Sequence, residues 1–583
     1  MTQSPAFLNV ETSLTGRRWV GPDAAADRLA EAMVQETRLP LPLARILVAR
    51  GIAPDEAARF LEPQLRDLLP DPRGLKDMAA AAARFLTAVK GRERIAVFAD
   101  YDVDGGSSAA LLLTWLRHFG QKATLYVPDR IDEGYGPNVP AMAALAEAHD
   151  LILCVDCGTL SHEPVAAAKA ADVVILDHHL GAETLPEALA VVNPNRQDED
   201  GTLAHLCAAS VVFLMLVEAN RLLREDGLQG PDLMAMLDLV ALATVADVAP
   251  LTGVNRALVR QGLKVLARRE RAGLRALADV ARVNEMPTAY HLGFILGPRV
   301  NAGGRIGAAD LGARLLATDD PREAGLLAER LDRLNTERRE IENRVREEAL
   351  AQAEARGTEG PLVWAAAEGW HPGVVGIVAA RLKEATNRPA VVIGLEGGIG
   401  KGSARSVAGV DLGAAVQRVA AEGLLVKGGG HRMAAGLTVE AGRIEAAMER
   451  LGELLARQGA GAGGPRDLRL DGLLMPGAAT PALIEEIEKA GPFGQGAPAP
   501  RFAFGSVTVS YLKRVGESHL RFGFSDGTGP AIEAIAFGAF DGPLGPAIES
   551  HNRLPLHLAG RLELNVWGGR ARVQLRLEDA ARP

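Results

Sequence analysis

From about residue 76 to 260 the chain alternates between two hydrophobic rhythms. Short apolar runs rich in β-branched residues (Ile95–Ala99, Ala123–Val127, Leu151–Val155 and Val173–Leu176) predict buried strands. Between them, Ser107–Phe119 and Val139–Ala148 repeat apolar positions at helical spacing. Strands alternating with helices predict a parallel sheet covered on both faces. Residues 1–75, broken by Pro40, Pro42, Pro54 and Pro63, predict a lead-in of short helices. Across 310–357, Leu327, Leu331, Leu334, Ile341 and Val345 recur three or four apart among Arg and Glu, which predicts a connecting helix with a solvated outer face. A second α/β unit is expected over 358–462, punctuated by Gly373, Gly376, Gly402 and Gly428–Gly430, with Gly459–Pro465 as a linker.

The rhythm changes again over 463–583. Arg561–Trp567 and Arg570–Leu577 alternate apolar and polar residues around Gly568-Gly569, a hairpin pattern. Tyr511–Val515 and Leu520–Phe524 predict a second strand pair. A small β-barrel follows, and the OB-fold is the common barrel that binds nucleic acid. Lys513, Arg514, Arg521, Arg570, Arg572 and Arg576 would face outward and favour that role. The fold class is therefore α/β, a parallel-sheet domain (76–309) and a second α/β domain joined by a long helix, with a terminal barrel.

Composition narrows the function classes. The chain has 583 residues, a net charge of −9 and three cysteines, Cys154, Cys157 and Cys207. So few cysteines give no disulfide framework and suit a reducing cytoplasm. Met1–Leu14 has no apolar signal core, and no apolar run approaches the ~20 residues that span a bilayer, so no membrane association is expected. The stretch from Arg466 onward is electrically neutral, so the negative charge lies upstream and nucleic acid would need a local basic groove. Cys154-Val-Asp-Cys157 has C-x-x-C spacing, but it lies on a predicted strand and reads as small residues flanking a functional aspartate.

Asp100, Asp102 and Asp104, then Asp156, then Asp177-His178-His179, all follow apolar runs, and Asp247 follows Val245-Ala246. The carboxyl ends of parallel strands are where such sheets bind ligands. Imidazoles beside carboxylates suit Mn²⁺ or a similar ion better than Ca²⁺, and two such ions can drive cleavage of a phosphate ester. Gly402-Ser403-Ala404-Arg405 and Gly428-Gly429-Gly430-His431 offer amides, a hydroxyl, a guanidinium and an imidazole to a phosphate. Tyr135, in the loop Asp132–Asn138, is available to stack on a base.

Taken together, Asp100-Tyr-Asp102-Val-Asp104-Gly, Val155-Asp156-Cys-Gly, Asp177-His178-His179 and Ala246-Asp247 resemble the four motifs of the DHH phosphoesterase superfamily. Trp370-His371-Pro372-Gly373, Gly402–Ser406 and Gly428–Gly436 resemble its associated DHHA1 domain. Arg299-Val-Asn301-Ala-Gly-Gly-Arg305 resembles a motif of the RecJ subfamily, bacterial 5′→3′ exonucleases specific for single-stranded DNA, and the similarity runs from about residue 38 to the end. The resemblance implies two divalent ions, Mn²⁺ or Mg²⁺. Asp102 and Asp156, supported by Asp100, would hold one; Asp104, Asp156, His178 and Asp247 would hold the other. It implies that His179 touches the scissile phosphate and that Asp177 orients a histidine. It further implies that Arg299, Asn301, Arg305, Ser403, Arg405, Gly429, Gly430 and His431 bind substrate. The implied partners of the expected monomer are single-stranded DNA with a 5′ end, a RecQ-type helicase and a single-strand-binding protein, in DNA repair and recombination. Two other readings are an enzyme for nano-RNA or cyclic dinucleotides, and a non-catalytic replication scaffold. The lead-in, connector and barrel argue against the first, the complete ligand set against the second.

Overall fold

The computed structural model describes residues 5–130, 132–461, 467–567 and 570–583. The expected Gly568-Gly569 turn and residues 462–465 of the expected linker lie outside the described residues. The chain forms two compact units: Pro70–Ala249 with Gln261–Gly463, and Met1–Leu69 with Pro250–Arg260 and Gly464–Pro583.

In the first unit, β1 (Ile95–Ala99), β2 (Ala123–Tyr126), β3 (Leu151–Val155), β4 (Asp172–Leu176) and β5 (Ala190–Val192) form a parallel sheet in the order β2-β1-β3-β4-β5. Every residue of β1 and β3 is buried, as expected for strands covered on both faces. Register fixes the functional level. Ala99 pairs with Val155, and Val155 with Leu176, so Asp100, Asp156 and Asp177 leave three adjacent strands side by side. Helix α1 (Val103–His118) starts four residues earlier than the apolar spacing suggests. Asp102 caps it, accepting from the Asp104 and Gly105 amides.

Helices α2 (Leu237–Ala246) and α3 (Gly297–Ile306) belong to the same unit. The connecting helix is shorter than predicted. Leu311–Ala317 is a separate helix, and α4 runs Pro321–Arg356 with Asp320 as its cap. Its charge is not all solvated: buried Arg338 bonds Glu342 at 2.8 Å and Asn335 at 3.0 Å. The second sheet contains β6 (Val363–Glu368), β7 (Ala390–Glu396), β8 (Ile399–Arg405), β9 (Lys427–His431) and β10 (Ala434–Glu440), in the order β9-β10-β8-β7-β6. Helix α5 (Pro372–Thr386) packs on β7 and β8.

The other unit holds a closed five-stranded barrel. Phe502–Val515, His519–Ser525, Ile532–Ala536, Arg570–Ala581 and Leu556–Trp567 pair in turn, and the last returns to the first through Phe502 and Gly560. The lead-in is more than helical. Arg18–Val20 is a strand paired with Asp467–Arg469, and the buried Trp19 donates to Asp579 at 2.9 Å. Met33, Leu43 and Ile46 share one apolar core with barrel residues Phe502, Phe522 and Leu575. Residues 250–260, which the sequence reading leaves in the 76–309 domain, also belong here: Arg256 lies 4.1 Å from the Phe60 ring centroid and donates to the Lys489 and Gly491 carbonyls. Local periodicity carries no signal for contacts this distant. Among the described residues no helix is long and apolar enough to cross a membrane.

Candidate active site

Three ligand groups meet above the ends of β1, β3 and β4: Asp100–Asp102–Asp156, Asp104–His178–Asp247 and Asp156–His178–His179. Within each, the candidate ligand atoms lie within 4.8 Å of one another. Asp156 belongs to two of the groups. Its φ of +61° is left-handed backbone, costly for an aspartate, and turns the chain sharply as β3 ends. His178 Nε2 stands 3.2 Å from Asp156 and 3.6 Å from Asp104, with Nδ1 3.8 Å from Asp247. Asp104 is fixed by the Ala208 and Ala209 amides at 2.7 and 2.8 Å. Gly105 is required here, because a Cβ would stand 2.4 Å from the Asp100 carbonyl oxygen.

Burial, reinforced by neighbouring carboxylates, pushes Asp100 and Asp156 well above the usual carboxylate range and Asp247 up to about 8. One buried oxygen of Asp100 and one of Asp156 have no hydrogen-bond partner. Buried acceptors without donors, in a cluster of repelling carboxylates, fit divalent cations.

Asp177 behaves in the opposite way. Burial alone would raise it, but donation from His179 and Thr159 holds it below the usual range. Burial works against the charge on His179, yet the 2.8 Å bond to Asp177 prevails and lifts His179 to about 9. The Tyr135 hydroxyl donates to the Asp156 carbonyl at 3.0 Å and stands 3.1–3.2 Å from the His179 ring nitrogens. Tyr135 is thus a hydrogen-bonding neighbour of the cluster as well as an exposed ring.

The remaining candidates divide. The Asn301 side chain accepts from the Val103 amide at 3.1 Å and braces the start of α1. Arg305 donates to the Gly373 carbonyl; burial, then the nearby Arg130 and Arg338, lowers it to about 10. Arg299 is not brought to the cluster: it is bound to Asp332 at 2.8 Å and to the Ile295 carbonyl. In the second sheet Arg405 and His431 both pair with Ala434, and Ser403 and Gly429 both pair with Gly436. These register partners share one face, which the small intervening residues leave open. Arg405 donates to Ser403 at 3.1 Å. A Cβ at Gly430 would strike the Ala434 carbonyl at 2.4 Å, whereas at Gly429 it would meet nothing within 4 Å.

Arg130 escaped the sequence reading, and His371 entered it only within a motif, with no role of its own. Arg130 lies 5.3 Å from the Tyr101 ring centroid, and its charge acts on Asp100, Arg305, Arg405 and His371. Its charge is felt at both the acidic cluster and the basic face, and its place just before the Tyr135 loop was the available signal. His371 caps α5 by accepting from the Gly373 amide at 3.0 Å. The barrel cations are less open than expected: Arg514 is paired with Glu549, Arg521 with Glu533, and Arg576 lies 3.6 Å from Glu563. Cys154 and Cys157 are buried and their thiols raised by that burial, which leaves no redox role.

A carboxylate–imidazole cluster at the carboxyl edge of a parallel sheet, beside a second domain with an open basic face, defines a metal-dependent phosphoesterase of the DHH class. The model of the DHH family N-terminal domain matches residues 94–244, that of the DHHA1 domain 359–457, and that of the RecJ OB domain 470–579. The single-stranded-DNA-specific exonuclease RecJ of Dickeya dadantii is 39% identical over 93% of this chain and 96% of its own. That of Escherichia coli is 36% identical over 96% and 97%. The Mn²⁺ complex of RecJ from Thermus thermophilus superposes with a TM-score of 0.79 at 31% identity, covering 97% of this chain and 79% of that one. The chain belongs to the RecJ family of single-stranded-DNA-specific exonucleases. Its cofactor is a divalent cation, Mn²⁺ or Mg²⁺.

Proposed function

We propose that this enzyme degrades single-stranded DNA from the 5′ end and releases 5′-mononucleotides with two divalent ions. The observation that carries this reading is the division of the cluster into ligand groups linked through Asp156 and His178. Asp102 and Asp156, with Asp100, would hold one ion; Asp104, Asp156, His178 and Asp247 would hold the other. Bound there, the ions supply an activated water and stabilise charge on the phosphate oxygens. His179, kept protonated by Asp177, neutralises charge on the scissile phosphate, and Tyr135 holds that imidazole in place. Ser403, Arg405, Gly429, Gly430 and His431 cradle the terminal 5′-phosphate, while Arg130 and Arg305 line the path between. A fixed spacing from this cradle to the ions would set a one-nucleotide product.

The domains that serve this reaction are 76–309 for catalysis, less the 250–260 segment that packs with the barrel, and 358–462 for phosphate binding, joined over 310–357, with 1–75 and 463–583 retaining the strand. The enzyme would act as a cytoplasmic monomer in DNA repair and recombination, on strands exposed by a RecQ-type helicase and covered by a single-strand-binding protein. The test is hydrolysis, with Mn²⁺, of a 5′-phosphorylated single strand labelled at either end, beside a duplex. Early release of the 5′ label as mononucleotide, from the single strand only, is expected. Early loss of the 3′ label, or equal attack on the duplex, would overturn the reading.

A further inference from the structure

The sheet of the second domain has one face that the proposed reaction uses and one that it does not. Trp364 pairs with Val391, and Val391 with Ala404. These three side chains form one cross-sheet row, and by the alternation of a strand Ser403 and Arg405 point to the opposite face. On the Trp364 face, helix α6 (Ile444–Arg457) buries Ala447, Met448, Leu451 and Leu455 against the sheet. Between α6 and the segment Pro361–Trp364, where the edge strand β6 begins, a groove of about 500 Å³ stays open. Its apolar lining includes Pro361, Leu362, half-buried Trp364, Met448 and Gly452. A second pocket of about 340 Å³ shares Leu362 and Trp364 with it, and there Arg356 lies over the Trp364 ring at 4.0 Å.

One wall of the groove is acidic. Glu445, Glu449 and Glu453 line it, one helical turn apart along α6, and all three are exposed. Four residues of helix set successive carboxylates about 6 Å apart. Glu453 is paired with Arg450 at 2.6 Å, whereas Glu445 and Glu449 have no ion pair among the described residues. A row of carboxylates repels a phosphate chain, so this face is not a track for nucleic acid. Nor is the strand edge free to take another strand: the Ala366 amide donates to Gln352 at 3.1 Å, and α4 packs on β6.

We infer that this groove docks a helix of a protein partner, one that carries an apolar stripe bordered by lysines or arginines. Helix-in-groove recognition sets apolar anchors at i, i+3, i+4 and i+7 over a hydrophobic floor. Cations one turn apart beside that stripe meet Glu445 and Glu449 in step, because both helices repeat with the same rise. The floor supplies affinity, and the carboxylates set orientation and choice of partner. Gly452 keeps the floor low: a Cβ there would meet Pro361 and Leu362 at 3.8 and 3.9 Å, ordinary contact, so a larger side chain would fill the groove. The groove lies on the sheet face away from Ser403 and Arg405, so a docked helix leaves the phosphate cradle uncovered. The assignment holds whatever the polarity of strand degradation.

The test uses the full chain with Mn²⁺ bound, so that the catalytic carboxylates are neutralised. The probes are two fluorescein-labelled synthetic helices with the same leucine stripe, one bordered by lysines and the other by glutamates. In fluorescence anisotropy, wild type should bind the lysine helix at least about tenfold more tightly than the glutamate helix. Glu445→Lys/Glu449→Lys should reverse that preference, and Gly452→Leu should weaken the lysine helix about tenfold by filling the floor. Circular dichroism verifies that the variants fold, and the exposed glutamate pair keeps the test decisive should Gly452→Leu not do so. The folded variants should degrade a 5′-phosphorylated single strand at rates within about twofold of wild type, because the groove is remote from the cradle. No binding by wild type, or a preference that charge reversal leaves unchanged, would overturn the docking surface. Loss of strand degradation in folded Glu445→Lys/Glu449→Lys would overturn its separation from the substrate face.

Discussion

Asp156 is shared between two ligand groups, as His178 is, and alone among the candidate ligands it is also held in strained backbone. Asp156→Ala should lower activity by at least about a thousandfold, since it removes ligands from both groups; substantial residual turnover would refute the assignment. Asp177 acts through its neighbour. Asp177→Asn keeps the shape but removes the charge that holds His179 at about 9. The imidazole should then lose its proton nearer its ordinary value, so the alkaline limb of the pH–rate profile moves to lower pH. The rate at pH 8 should fall about 10- to 100-fold, and a profile whose alkaline limb did not move would sink this role.

The carboxylates predict a second pH effect. Asp100, Asp156 and Asp247 have folded-state pKa values raised above their unfolded ones, Asp247 to about 8. The metal-free fold therefore binds protons that the unfolded chain has released. The contribution of these three groups to stability is full below the unfolded carboxylate range and is lost as pH rises towards about 8. Thermal denaturation after chelation should show Tm falling across that window. Adding Mn²⁺ should restore Tm, release protons and bind more tightly as pH rises.

At the level of elements, strand register sets the phosphate cradle. Arg405 and His431 lie on β8 and β9, yet each pairs with Ala434 on β10. Arg405→Ala should weaken the preference for a 5′-phosphorylated over a 5′-hydroxyl end by about tenfold or more. Equal loss on both ends would argue against the cradle. Both strands and their glycines were legible as a phosphate-type motif, but their shared face was not, because register depends on pairing across the sheet. The break at Thr318–Asp320 lies upstream of Leu327, where the apolar spacing starts, and Asp320 with Pro321 marks it as a helix start.

For the molecule as a whole, the barrel does not stand alone. Met33, Leu43 and Ile46 from the first 50 residues share its core. Deleting 466–583 should therefore leave an exposed apolar surface and a protease-sensitive N-terminus, which limited proteolysis would reveal. Arg256→Ala should destabilise this unit by roughly 2–3 kcal/mol in denaturant titration, because the Phe60 and Gly491 carbonyls would lose this donor and the Lys489 carbonyl would keep only Arg260.

The sequence by itself determined the alternation that builds the parallel sheet, the placement of aspartates and histidines after its strands, the barrel and the family. These features are local: each is written in a few consecutive residues whose spacing dictates strand, helix or turn. Tertiary structure alone decided which charges meet. It aligned Asp100, Asp156 and Asp177 by register, drew Arg130 between the acidic and basic groups, and tied Arg299 to Asp332. It also joined residues 5–69 and 250–260 to a barrel hundreds of residues away. A side chain's partner is set by packing between distant segments, and no periodicity within one segment encodes it.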